Sequence, residues 1–103
     1  MINLQNDLIR FTVYELELAK LEIKKEVFNK IRGVTACWSE LDETAYITFY
    51  YNGEVKENDI EAASEICAYV ISHLIKGSLN EQYKRLDYPT SLPDNDFWVY
   101  RRE

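Results

Sequence analysis

Two runs suited to extended backbone, Val34 to Glu40 and Thr44 to Tyr51, are separated only by Leu41, Asp42 and Glu43. Both runs are rich in β-branched and aromatic residues, and three residues is the length of a hairpin loop, so the pair is predicted to be antiparallel. Side chains alternate across a strand, which puts Ala45, Ile47 and Phe49 on one face, the predicted core face, and Tyr46, Thr48 and Tyr50 on the other. Asn52 and Gly53 follow as a tight turn.

What flanks this hairpin has helical periodicity. Upstream, Leu4, Leu8, Phe11, Tyr14, Leu18, Leu21 and Phe28 recur at spacings of three, four and seven. A second row of Ile9, Val13, Leu16, Ile23 and Val27 widens the apolar stripe. The pattern predicts one helix from Leu4 to Arg32, able to bend, with a sheet covering much of its length. Gly33 reads as its stop, in the left-handed conformation after the last turn. Downstream, a second helix is predicted from Asn58, with Glu61 reaching back as in a capping box. Ile60, Ala63, Cys67, Val70 or Ile71, and Leu74 would form its buried stripe, and Gly77 follows its end. Glu81 to Tyr88 and Asp96 to Arg102 read as strands flanking a proline-containing loop, Pro89 to Asn95. The order α-β-β-α-β-β predicts an α+β fold, an antiparallel sheet with two helices packed on it. A length of 103 residues accommodates one core, so residues 1–103 are read as a single domain.

The net charge of −6 is unevenly spread. Residues 36–66 hold eight acids and one base, whereas residues 1–35 hold five acids and six bases and residues 67–103 five of each. A local acidic field repels nucleic acid and anionic membrane and speeds encounter with a basic protein. No run of apolar residues approaches a membrane span, and Met1 to Asp7 lack the pattern of a signal peptide, so the expected compartment is the cytoplasm. In that compartment Cys37 and Cys67 are expected to be buried, reduced thiols.

The residues that carry chemistry form no recognised constellation. His73 stands alone on the second helix without a Ser, Cys or acid placed by sequence to complete a triad. Gly33, Gly53 and Gly77 are too far apart for a phosphate-binding loop. Asp42 with Glu43, and Asp94 with Asp96, lack the spacing and central glycine of a calcium loop. Neither cysteine has a metal-chelating neighbour. Tyr83-Lys84-Arg85 and Tyr100-Arg101-Arg102 are too short for a nucleic-acid stripe. The expectation is a binding protein, with no enzyme activity, metal, cofactor or nucleic-acid ligand.

The candidate partner-binding residues are Asp42, Glu43, Tyr50, Tyr51, Glu57, Asp59, Glu61 and Glu65. Glu57, Glu61 and Glu65 recur at spacing four and form one ridge, where like charges oppose each other by about 0.2–0.5 kcal/mol per pair. The helix dipole offsets that cost for Asp59 and Glu61 near the helix start, but not for Glu65. An interface and a solubilising face both account for the ridge. Tyr50 shares a strand face with Tyr46 and Tyr51 borders the Asn52-Gly53 turn; they add aromatic contact area if that face is open, and ordinary packing if a helix covers it.

The segment Ile47-Thr48-Phe49-Tyr50-Tyr51-Asn52-Gly53-Glu54, the Glu57 to Glu65 helix start, Arg85-Leu86-Asp87-Tyr88-Pro89 and the ending Val99-Tyr100-Arg101-Arg102-Glu103 together resemble small bacterial immunity proteins. The nearest similarity is to those of contact-dependent growth-inhibition and related polymorphic toxin systems. The resemblance implies a cytoplasmic protein whose partner is the C-terminal toxin domain of a sister cell's effector, often a nuclease with a basic cleft. A non-inhibitory accessory subunit of a cytoplasmic complex is the alternative that the same surface would serve.

Overall fold

The computed structural model describes residues 3–102. The elements are α1 (Leu4–Glu22), α2 (Lys25–Phe28), β1 (Ile31–Ser39), β2 (Thr44–Tyr51), α3 (Glu57–His73), β3 (Ser78–Arg85) and β4 (Trp98–Arg101). The strands form one sheet in the order β3-β2-β1-β4. The predicted hairpin is present, with Val34 opposite Phe49 and Ala36 opposite Ile47.

The α+β class holds, but the sheet is mixed. β3 runs parallel to β2, from Thr44 beside Ser78 to Tyr51 beside Arg85. The intervening α3 carries the chain back along the sheet, so the next strand enters in the direction of β2, which a short turn cannot achieve. β4 joins the other edge antiparallel to β1.

The predicted first helix is two helices and the start of a strand. Ile23 and Lys24 are both extended, which separates α1 from the single turn of α2. No Gly or Pro marks this break. Phe28 and Ile31 both enter the core, Phe28 as the last residue of α2 and Ile31 as the first of β1. Gly33 therefore ends no helix. It lies in β1 at a register shift, and a Cβ there would come within 2.6 Å of the Trp98 ring. The residue is small because another strand's aromatic occupies its side-chain space.

The start of α3 is also displaced from the sequence reading. Lys56, not Asn58, is the N-cap, and the reciprocal acid is Asp59, whose carboxylate accepts the Lys56 backbone N–H at 2.9 Å. Its buried stripe is Asp59, Ala63, Ile66, Cys67 and Val70, with Ile60 turned outward.

Both helices lie on the sheet face formed by Val34, Ala36, Trp38, Ala45, Ile47, Phe49 and Tyr51, and these residues join Leu8, Leu16, Ala63, Ile66 and Val70 in one core. α1 covers β1 and β4, α3 covers β2 and β3, and the helices touch each other. Where β4 is too short to pair with the rest of β1, the Gln5 side chain substitutes for a strand. Its amide donates to Ala36 O at 3.1 Å and accepts from Trp38 N at 2.6 Å. On the opposite face the β3–β4 connection supplies its own cover. The guanidinium of buried Arg32 sits 4.0 Å from the Tyr88 ring and donates to Leu86 O, while Tyr50 packs on Trp98.

Candidate functional site

The fold divides the eight candidate residues into three groups. Tyr51 is fully buried under α3, stacked on Phe49, and Asp59 is only 2% exposed. Asp59 accepts from Lys30 Nζ as well as from Lys56 N–H, so it joins α3 to the segment before β1. Tyr50 is buried against Trp98. These three do not belong to an exposed surface: the two tyrosines are inside because both faces of β2 are covered, and Asp59 because it lies on the buried stripe of α3.

Asp42 and Glu43 are exposed in the hairpin loop, but both are engaged. The Tyr46 hydroxyl donates to Asp42 at 2.5 Å and holds its carboxyl below the usual range. Glu43 pairs with Lys76 at 2.6 Å, and its carbonyl accepts from Ser78 N. The loop thus lies beyond the C-terminal end of α3.

Glu57, Glu61 and Glu65 are exposed along α3 itself. Among the described residues no cation pairs with them, nor with Glu22 on α1. α1 and α3 run antiparallel, since Glu15 meets His73 at one end and Ile23 faces Ala62 at the other. Between them runs a groove lined by Leu18, Ala19 and Ile23 from α1 and Ala62, Ile66 and Tyr69 from α3, with Glu22 and Glu65 on facing walls. The two alanines make it concave.

Among the described residues, five of the eight exposed large apolar side chains, Val13, Tyr14, Leu21, Ile60 and Tyr69, lie on the same layer, and Leu41, Ile75 and Tyr88 lie elsewhere. Tyr14 is 56%, Leu21 84% and Tyr69 52% exposed. The sequence reading missed Glu22 and Tyr69, and it placed Leu21, with Tyr14, in an apolar stripe covered by the sheet, whereas both are exposed. Tyr69 had a local signal, since it continues the ridge four residues after Glu65. Leu21 and Glu22 had none, because only the antiparallel packing of α1 on α3 brings them there.

The charge can now be assigned in space. α1 and α3 together hold eight acids and two bases, a net −6 that equals the charge of the whole chain; everything else holds ten of each. One layer of the molecule carries all the imbalance.

The residues of possible chemistry are occupied structurally. His73 Nε2 lies 3.1 Å from Glu15, and the ring stacks on Phe11 at 4.7 Å, which docks the last turn of α3 on α1. Beneath α3, Ser64 and Tyr83 both donate to Glu81, at 3.1 and 2.9 Å. Burial pushes the adjacent Cys67 thiol up, the reverse of what an activated thiolate needs. Cys37 and Cys67 are both free. Among the described residues no group of three His, Cys, Asp or Glu is placed to hold a metal ion, and no helix is long and apolar enough to cross a membrane.

A family model described as MafI2 immunity protein matches residues 23–103. No curated protein matches the chain.

Proposed function

The chain belongs to the MafI2 immunity protein family, whose partner is a toxin protein, and from that premise we propose that it neutralises a cognate nuclease toxin by binding through the acidic layer of α1 and α3. The observation that carries the reading is the acidic excess of that layer, where Glu22, Glu57, Glu61 and Glu65 are exposed with no cation paired to them among the described residues, beside exposed Tyr14, Leu21 and Tyr69. A nuclease holds phosphates in a basic cleft, so a surface of clustered carboxylates competes for the same electrostatic field. Unpaired acids around aromatic and aliphatic side chains supply both terms of an interface: steering from a distance and apolar burial on contact. The proposed partner is the C-terminal toxin domain of a contact-delivered effector, met in the cytoplasm and blocked without chemistry on either protein.

Co-expression with the toxin domain encoded beside this chain's gene tests the reading. Rescue of growth together with co-purification is expected, and failure of both sinks it. Reversing Glu57, Glu61 and Glu65 to Lys is expected to reduce the association rate at low salt by about tenfold or more and to flatten its salt dependence. An unchanged rate would remove the ridge from the interface.

A further inference from the structure

The groove between α1 and α3 has a specific composition. Its floor is aliphatic, from Leu18, Ala19, Ile23, Ala62 and Ile66, and its facing walls carry Glu22 and Glu65 beside the half-exposed Tyr69 ring. The third carboxylate there, Glu15, is already engaged by His73. Glu22 and Glu65 therefore face a common space with no described cation to relieve them.

We infer that this groove seats one arginine or lysine side chain of the toxin. The claim rests on the immunity reading and narrows it to a single anchor. A long cationic side chain has an apolar stem and a charged head, and it lies along aliphatic surface while its head reaches polar groups. The groove reproduces that division: aliphatic floor, carboxylate walls and an aromatic face at the margin where a cation is attracted by the ring. A purely apolar anchor would leave two carboxylates desolvated without partners, and a purely ionic contact would leave the floor wet. Only a side chain with both parts satisfies both.

The seat also separates binding from stability. Two like charges across a groove oppose folding, so neutralising them relieves the free protein while removing the partner's counter-ions. The test measures affinity for the cognate toxin domain and thermal unfolding of the free chain. It compares Glu22→Gln/Glu65→Gln, the groove-filling Ala62→Leu, and Asp94→Asn/Asp96→Asn as a control of equal charge change in a remote loop. The groove pair is expected to lose about tenfold or more in affinity with an unchanged or higher Tm, because a charged hydrogen-bonded contact is worth that much. Ala62→Leu is expected to weaken binding with the charges intact, and the control to change affinity by less than about twofold. Equal losses in the groove pair and the control, or no loss in the groove pair, overturn the seat while leaving immunity in place. A wild-type chain that neither binds nor rescues overturns the immunity reading, and the seat with it. Scanning the toxin's Arg and Lys residues to Ala then identifies the anchor as the one whose loss is non-additive with the groove pair; strict additivity at every position also overturns the inference.

Discussion

Asp59 shows how a residue that looks like surface charge is made into structure. Its side chain is 1% exposed, and Lys30, which it pairs with, also donates to the carbonyl of Glu54 at 2.6 Å. One lysine thus ties the α2–β1 junction to the entry of α3. Removing the cation leaves a carboxylate inside the protein without its counter-charge, which costs far more than the intact pair contributes. Lys30→Met is expected to destabilise by about 3 kcal/mol, read from the urea midpoint. Adding Asp59→Leu should recover part of that loss, whereas a second loss of similar size would show that the two residues act separately. Gly77 is constrained twice. Its φ is +115°, and a Cβ would meet the Trp38 ring at 2.5 Å. Gly77→Ala is therefore expected to destabilise through strain and through displacement of a core aromatic, whereas Gly53, with open space around it, has only the strain to bear.

At the scale of elements, the contact of α3 with β3 is held by Ser64, Glu81 and Tyr83, and it titrates. Burial is the main cause that pushes the Tyr83 hydroxyl up to about 12, with its bond to Glu81 acting in the same direction. A folded-state value above the unfolded value of about 10 means that this stability is fully present below pH 10 and is lost as pH rises through about 12. Urea midpoints are expected to fall across that window, and less so in Tyr83→Phe, which has no hydroxyl to ionise. An identical alkaline decline in that variant would assign the effect to other groups, Tyr51 among them. The elements also show what a local reading can reach. The β1–β2 hairpin was legible because its signals, alternation and loop length, lie within 20 residues. The parallel placement of β3 was not, since nothing in Ser78 to Arg85 states which neighbour it joins or in which direction. The break at Ile23 and the role of Gly33 were hidden for the same reason. Helical periodicity runs across the break, and the group that requires a glycine, Trp98, is 65 positions away.

For the whole molecule, position in sequence and position in space assign the charge differently. Residues 36–66 are the acidic stretch of the chain, but the fold splits them: the hairpin loop lies beyond one end of α3, while the Glu ridge begins at the other. It then joins α3 to the acids of α1, 35 or more positions upstream, so the layer and not the stretch is the electrostatic unit. Candidate residues chosen along the chain therefore mixed both ends of the molecule. The distinction is measurable. Along the helix axis, Glu61 and Glu65 lie about 12–18 Å from the end of α3 nearest the hairpin loop, given a rise of about 1.5 Å per residue. That exceeds the Debye length of about 8 Å at physiological ionic strength, so charges in the two places act on a docked partner separately. Asp42→Lys/Glu43→Lys and Glu61→Lys/Glu65→Lys change net charge equally. At low salt both are expected to slow toxin association, because the field of the whole protein then steers the encounter. At physiological salt only the α3 pair is expected to retain a large effect, about tenfold, with the loop pair within about twofold of wild type. Stopped-flow association of the four combinations of variant and salt reads the outcome directly. Equal slowing at physiological salt would place the hairpin loop inside the interface and require a toxin surface long enough to span α3.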